Sequence, residues 1–385
     1  MKNSVINYGQ HFIDQQDIKS VVKVLKSNFL TQGKSVKSFE LNLNSYFGSK
    51  YSCIVSNGTA ALYLAANALN WKKGDIIFCS PITFLAGSNS ILSQKATPYF
   101  IDIDEDTYNI NPYLIEKKLK QQSIINKAKA IIATDFAGNP CDWEMLKFLS
   151  KKYNLKLLND NCHAMGAKYQ GKKTYAVKFA DIVTQSYHPV KNFTTGEGGS
   201  VLTNNLSIYN KINSLRSHGI YRNKKEIKFW GYRMNDLGYN YRLTDIQAAL
   251  GISQLKKLDQ FVRYRNKLAR VYDLHFKDNI YCKIPSVNKN IYHSYHIYPL
   301  LIDFKKLKKT REDLFRLFSR NNIKLQVHYI PIYKQPYYKK ILIKKFDCPI
   351  AEDFYSKEVT LPLYFNLKKE DQLKCINILK KFLKK

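Results

Sequence analysis

The sequence predicts an α/β fold: a large domain built on a mostly parallel sheet of seven strands, followed by a smaller C-terminal α+β domain. Three observations predict it. Between residues 51 and 203, short apolar runs alternate with helical stretches, the pattern of strands joined by crossover helices. Near residue 245 the texture changes to long helical periodicity with scattered strand-like pieces. The length of 385 residues exceeds a domain of about 150, and a 45% hydrophobic content supplies the core.

The elements follow in order. Residues 15–27 place Ile18, Val21, Val22 and Leu25 at helical spacing. Residues 36–47 repeat the pattern with Val36, Phe39, Leu43 and Phe47 and stop at Gly48. Strands are expected at 51–55, 75–79, 97–101, 130–134, 156–159, 181–186 and 199–203, with helices at 59–69, 85–93 and 145–153. Residues 244–274 read as one or two long helices; 296–302 and 324–328 are strand-like, and 311–320 and 370–383 helical. The division expected from this is 1–255 for the large domain and 256–385 for the smaller one. Function belongs in loops at the strand ends.

Composition narrows the function classes. No stretch approaches the roughly 20 apolar residues of a membrane helix, and residues 1–8 hold no apolar run of signal-peptide length. Seven Cys without a CxxC pair argue against a zinc ribbon or a disulfide framework. Free thiols fit a reducing cytosol, so a soluble cytoplasmic protein is expected. The net charge is +32, yet only ten of the 62 Lys and Arg are Arg, none before Arg216. Lysines are spread along the chain, with short clusters at 305–309 and 380–385, which reads as a solvated surface rather than a nucleic-acid site. Such a surface still draws in an anionic small substrate.

Four segments carry chemistry. Ser56-Asn57-Gly58-Thr59-Ala60 lies between a strand and a helix, where backbone N–H groups, a glycine and a hydroxyl make an anion cradle. Pro81-Ile82-Thr83-Phe84 follows a strand and offers an aromatic ring for stacking. Leu157-Leu158-Asn159-Asp160-Asn161-Cys162-His163 ends an apolar strand in a carboxyl suited to fix the protonation of a bound heterocycle; it lacks the ligands of a metal site. Lys191 sits between a strand and the turn Gly196-Glu197-Gly198-Gly199, in a shaped loop rather than on a polar face.

Together these segments resemble the pyridoxal-phosphate enzymes of the aspartate-aminotransferase fold (fold type I, with a mixed, mostly parallel sheet), and within it the DegT/DnrJ/StrS sugar aminotransferases. Phe29-Leu30-Thr31-Gln32-Gly33 is similar to that family's N-terminal loop, Ser186-Tyr187-His188-Pro189-Val190-Lys191 to its lysine loop, and Gly238-Tyr239-Asn240-Tyr241-Arg242 to its G-x-N-x-R stretch. Asn159 departs from the Glu common before the Asp, which leaves the hydrogen bonding beside the ring open. The family's sugar dehydratase relatives carry His where this chain carries Lys191, so amino transfer is the implied reaction.

The resemblance implies pyridoxal 5'-phosphate as cofactor, with Lys191 as the amine that captures it and later moves a proton, and Asp160 on its ring nitrogen. It implies that Gly58, Thr59 and Ser186 hold the phosphate, that Phe84 covers the ring, that His163 lies beside it or is an interior His, and that Asn240 reaches the phosphate from a neighbouring subunit. A homodimer with shared sites follows. Tyr8, Asn28, Phe29, Leu30, Thr31, Gln326, Val327, His328 and Tyr329 are implied contacts to a nucleotide sugar. The blocks Gln326-Val327-His328-Tyr329-Ile330-Pro331 and Ala351-Glu352-Asp353-Phe354-Tyr355 resemble the pseudaminic-acid branch. That branch implies transfer from L-glutamate to C4 of a UDP-linked 4-keto-6-deoxy-N-acetylhexosamine, giving UDP-4-amino-4,6-dideoxy-N-acetyl-β-L-altrosamine. Rival readings are another nucleotide-sugar C4 aminotransferase, of UDP-bacillosamine, legionaminic-acid or GDP-perosamine type, and a non-catalytic basic protein that binds nucleic acid or regulates. The charge favours the last; an intact Lys191 and Asp160 oppose it. No membrane, nucleic-acid or metal partner is expected.

Overall fold

Seven strands build the central sheet: β1 Tyr51–Val55, β2 Ile76–Cys79, β3 Thr97–Phe100, β4 Ala128–Thr134, β5 Lys156–Asp160, β6 Ile182–Ser186 and β7 Gly199–Thr203. In this computed structural model, which describes residues 5–221, 228, 230–342 and 346–384, their order is β1-β7-β6-β5-β4-β2-β3. Residues 1–4 and Lys385, parts of the N-terminal stretch and the last lysine cluster, lie outside the described residues. The pairs β2–β3, β2–β4, β4–β5 and β5–β6 are parallel; β6–β7 and β1–β7 are antiparallel. The mixed, mostly parallel seven-stranded sheet expected from the sequence is present. Its inner strands are buried along nearly their whole length, as crossover helices on both faces require.

The helix Gly58–Ala68 follows β1 because Asn57 caps it, Oδ1 accepting from Ala60 N at 2.8 Å, and because its Ala/Leu run suits a helix buried against strands. The helix Gln15–Leu25 opens with a capping box of Asp14 and Asp17. Asp17 is fully buried and also holds Lys257 Nζ at 2.6 Å and Gln254 Nε2 at 2.7 Å. Those contacts sit where the long helical stretch divides into Asp245–Leu255 and Leu258–Phe276, two helices rather than one. The second begins among the large core (Leu258, Phe261, Val262) and ends in the C-terminal one (Leu268, Tyr272, Phe276).

The C-terminal part holds a three-stranded antiparallel sheet of Cys282–Lys283, Tyr298–Ile302 and Glu358–Leu361, with Tyr298–Ile302 in the middle. The helices Arg311–Arg320 and Lys369–Phe382 pack on it. One expectation fails. Residues 324–328 form no strand, only a bridge between Gln326 and Thr360. The reason is divided pairing: Lys324 N donates to Ile6 O, Gln326 O accepts from Thr360 N, and His328 N donates to the Glu358 side chain, so no ladder forms. Among the described residues no helix is long and apolar enough to cross a membrane, and no three His, Cys, Asp or Glu are placed to hold a metal ion. All seven cysteines are free.

Candidate active site

The parallel strands deliver their polar ends to one edge of the sheet. β4 ends at Thr134 and β5 at Asp160, which are register partners, and Asp160 pairs in turn with Thr184 on β6, two residues before Ser186. Beyond those ends lies a cavity of about 630 Å³, the place where α/β sheets bind ligands. It brings together Tyr8, Gly58, Thr59, Phe84, Asp160, His163, Ser186, Lys191, Gln326, Val327, His328 and Tyr329, every one a site residue expected from the sequence. Asn28, Phe29, Leu30, Thr31 and Asn240 do not line it. They are exposed, the first group tied to the start of the Asp245–Leu255 helix through Leu30 O and Asp245 N at 2.9 Å.

The Lys191 loop is held rigidly. Lys191 N donates to His188 O at 2.9 Å and Thr195 N to Tyr187 O at 3.0 Å, while Thr194 Oγ1 donates to Tyr187 O at 2.8 Å. Asn192 Nδ2 reaches Ser294 O at 3.1 Å. The Lys191 side chain is thereby committed to the cavity wall. Burial lowers its ammonium from the ordinary lysine value against the pull of Asp160, which raises the share of free, nucleophilic amine. Asp160 is buried; its Oδ1 accepts from Cys162 N at 3.2 Å and its Oδ2 from Thr134 Oγ1 at 3.5 Å.

At the other end of the cavity the Gly58–Ala68 helix presents its N-terminus beside Ser186. A Cβ on Gly58 would stand 2.7 Å from Ser186 Cβ, so only glycine lets this helix come so close to β6. The Gly58 and Thr59 backbone N–H groups precede the first capped position, and hydroxyls of Thr59 and Ser186 flank them, which is a donor set for a dianionic phosphate. Phe84 stays 57% exposed at the cavity with its ring 6.3 Å from Tyr329, an aromatic face free to stack on a planar ring. A buried carboxyl, a desolvated amine, a phosphate cradle and a free aromatic face in one cavity fit pyridoxal 5'-phosphate.

His163 proves to be both interior and cavity-lining. Burial first, then Lys191 and His328, push its pKa well below the ordinary value, so it is neutral at physiological pH. Its tautomer follows from the partners. Ala137 N donates to Nδ1 at 3.3 Å, so Nε2 carries the hydrogen and donates to Tyr329 Oη at 3.2 Å. The Tyr329 hydroxyl keeps its own hydrogen to donate.

Two features escape sequence reasoning. His296 lines the cavity with its ring 4.5 Å from that of His163, although 133 residues part them; the Tyr-flanked pair His293 and His296 was the available signal. Behind β5, Asp135 is fully buried and accepts from Cys141 N at 2.8 Å, Trp143 Nε1 at 3.0 Å, Tyr175 Oη at 2.7 Å, Asn161 Nδ2 at 3.1 Å and Asn159 Nδ2 at 3.2 Å. Burial raises its carboxyl and these donors hold it down. The unusual Asn159 is therefore matched to Asp135, since a Glu there would set two carboxyls against each other.

Comparison with known proteins agrees with this geometry. Residues 11–380 match the DegT/DnrJ/EryC1/StrS aminotransferase family. The chain is 39% identical over 369 residues to the UDP-4-amino-4,6-dideoxy-N-acetyl-beta-L-altrosamine transaminase of Campylobacter jejuni subsp. jejuni serotype O:23/36, covering 95% of this chain and 94% of that protein. Among solved structures, Helicobacter pylori PseC, an aminotransferase involved in the biosynthesis of pseudoaminic acid, superimposes with a TM-score of 0.89 at 33% identity over 99% of both chains. Spr1654 of Streptococcus pneumoniae in its PLP form gives a TM-score of 0.88 at 27% identity over 98% of both. The chain belongs to the DegT/DnrJ/EryC1/StrS aminotransferase family and is an aminotransferase that works with pyridoxal 5'-phosphate.

Proposed function

We propose that this enzyme transfers the amino group of L-glutamate to C4 of a UDP-linked 4-keto-6-deoxy-N-acetylhexosamine, giving UDP-4-amino-4,6-dideoxy-N-acetyl-β-L-altrosamine, a step in pseudaminic-acid biosynthesis. The observation that carries it is one cavity uniting Lys191 and Asp160 with Tyr8, Gln326 and His328, in a chain 39% identical to a transaminase of that name.

Bound in the cavity, pyridoxal 5'-phosphate supplies a carbonyl carbon that takes an amine and a ring that takes up electron density. The residues do the rest. Lys191 would hold the cofactor through its amine and, once freed, would carry a proton between substrate carbon and cofactor carbon, taking it up as base and giving it back as acid within each half-reaction, in opposite directions in the two. Asp160 would hold the ring nitrogen and favour its protonated form. Gly58, Thr59 and Ser186 would anchor the phosphate end, and Phe84 would cover one face of the ring. The neutral His163 holds the Tyr329 hydroxyl in place. Tyr8, Gln326, Val327 and His328 approach the sugar side, and the positive surface concentrates the anionic substrate.

The reading extends to a cytoplasmic homodimer, with residues 1–255 as the cofactor-holding unit and 256–385 as the smaller one. Asn240 lies on an exposed stretch with Leu237 67% and Tyr239 45% exposed, an apolar surface suited to a second copy. Asn28, Phe29, Leu30 and Thr31 are exposed likewise and would meet the substrate of the neighbouring site. Mixing inactive Lys191→Ala and Asn240→Ala subunits should recover about one quarter of wild-type activity, because half the dimers are mixed and each holds one intact site. No recovery would point to self-contained sites.

The substrate is tested with a panel of UDP- and GDP-linked 4-keto-6-deoxy sugars and glutamate, the product configuration read by NMR. The expected result is amination of the UDP-linked N-acetyl sugar to the L-altro product. Preference for a GDP sugar, or amination of the opposite face, would overturn the assignment.

A further inference from the structure

Beneath the sugar side of the cavity runs a chain of three hydrogen-bonding groups. His328 Nδ1 stands 2.7 Å from Thr360 Oγ1, and Thr360 Oγ1 stands 2.6 Å from Glu358 Oε1. Glu358 Oε2 accepts from His328 N at 2.8 Å, which ties the carboxyl to the backbone of the residue it addresses. Glu358 and Thr360 are wholly buried on the Glu358–Leu361 strand. His328 lines the cavity, packed on Tyr8 at 5.4 Å and edge-on to Tyr329 at 4.7 Å. With Nδ1 engaged by Thr360, Nε2 is the ring nitrogen left to meet a ligand.

We propose that Glu358 and Thr360 are positioning residues that set whether His328 offers the cavity a hydrogen-bond donor or an acceptor, and so control the grip on an acceptor oxygen of the nucleotide-linked keto sugar. The argument is one of hydrogen counting. A protonated Glu358 donates to Thr360, whose hydroxyl then donates to Nδ1, and the ring hydrogen must sit on Nε2. An ionised Glu358 accepts from Thr360, whose oxygen then accepts from Nδ1–H, and Nε2 presents a bare lone pair. The two arrangements interchange with no heavy atom moving.

His328 does not itself titrate in the working range, since burial and then Lys191 push it down to about 3. Burial raises the Glu358 carboxyl to about 8, against the hydrogen bonds from Thr360 and His328 N and the charge of Arg311. The other groups around it are Tyr108 and Tyr329, both raised by burial and uncharged in this window, with Tyr8 and Lys191 on the cavity side of His328. The sign is therefore clear. Below pH 8 Glu358 keeps its proton and Nε2 donates; as pH rises through about 8 the chain reverses and the donor is lost.

This inference rests on the sugar-nucleotide reading above, and its test separates the two. In wild type, KM for the UDP-keto sugar should rise roughly tenfold between pH 7 and 9, the worth of one good hydrogen bond, with the glutamate half-reaction as the control for other titrations. Glu358→Gln mimics the protonated acid permanently, so its KM should stay at the neutral wild-type level across that range. Thr360→Ser should keep the wild-type profile and Thr360→Val should lose it, which covers a Glu358 variant that fails to fold. ¹⁵N spectra of histidine-labelled enzyme, assigned with His328→Asn, read the tautomer without substrate: it should change with pH in wild type and be fixed in Glu358→Gln. A Glu358→Gln enzyme with the wild-type rise in KM, a Thr360→Val enzyme with an unaltered profile, or a pH-invariant His328 tautomer in wild type would overturn the proposal. A wild-type enzyme that rejects every UDP-keto sugar while the tautomer still switches would overturn the substrate reading instead.

Discussion

Lys191→Ala should leave an intact fold that does not transaminate. The loop is held by main-chain bonds from Lys191 N to His188 O and from Thr195 N to Tyr187 O, and by the Thr194 and Asn192 side chains, none of which uses the lysine amine. All of these bonds survive removal of the amine, so thermal stability should change by less than about 1 kcal/mol. Catalysis loses both the nucleophile and the proton carrier. General acid–base work alone is worth about 10²–10⁴-fold, or roughly 3–5 kcal/mol, and both half-reactions need it. Turnover should fall to background, and the absorbance band of the lysine–cofactor imine should vanish, leaving only that of the unlinked cofactor. Lys191→Arg retains a cation of similar length and should be equally inactive, because a guanidinium keeps its proton. Retained turnover in either variant would remove Lys191 from the mechanism.

Asp160→Asn should lower kcat by two to three orders of magnitude while sparing the fold. The amide oxygen can still accept from Cys162 N, the 3.2 Å bond that shapes the end of β5. What disappears is the buried, cavity-lining carboxyl proposed to pair with the cofactor nitrogen. Breaking one partner of a buried ion pair costs about 3–5 kcal/mol, which sets the expected loss in rate and in cofactor affinity. Two readouts separate this from simple misfolding: the dissociation constant for pyridoxal 5'-phosphate, which should rise, and the deuterium isotope effect at the glutamate α-carbon, which should grow as proton removal becomes limiting. Wild-type values for both would make Asp160 a structural residue.

The large sheet was legible because each strand carries its own signal: the apolar runs at 51–55, 156–159 and 199–203 are bounded by turns, and burial on both faces needs no partner to be inferred. The helices Pro112–Leu119 and Leu206–Leu215 were not, since their faces are mixed and no element was assigned to those stretches. Residues 324–328 have the composition of a strand but find partners in Ile6, Thr360 and Glu358, which no local window contains. The site divides in the same way. Asp160 and Lys191 are readable because each closes or follows a strand in a motif of fixed spacing. His296, Asp135 and the pair Glu358 and Thr360 depend on contacts across 24 to 133 residues, and only the folded chain brings them together. Asn159 is the instructive residue: in the sequence it is a departure beside the cofactor, while in the fold it serves a buried carboxyl behind the strand.

Borohydride reduction of the protein loaded with pyridoxal 5'-phosphate, followed by peptide mass spectrometry, asks the central question without relying on turnover. Reduction makes permanent whichever nitrogen–carbon link has formed, so one peptide should gain the mass of the reduced cofactor, and fragmentation should place it on Lys191. The label on any of the other lysines, or no stable label at all, would contradict the site described above.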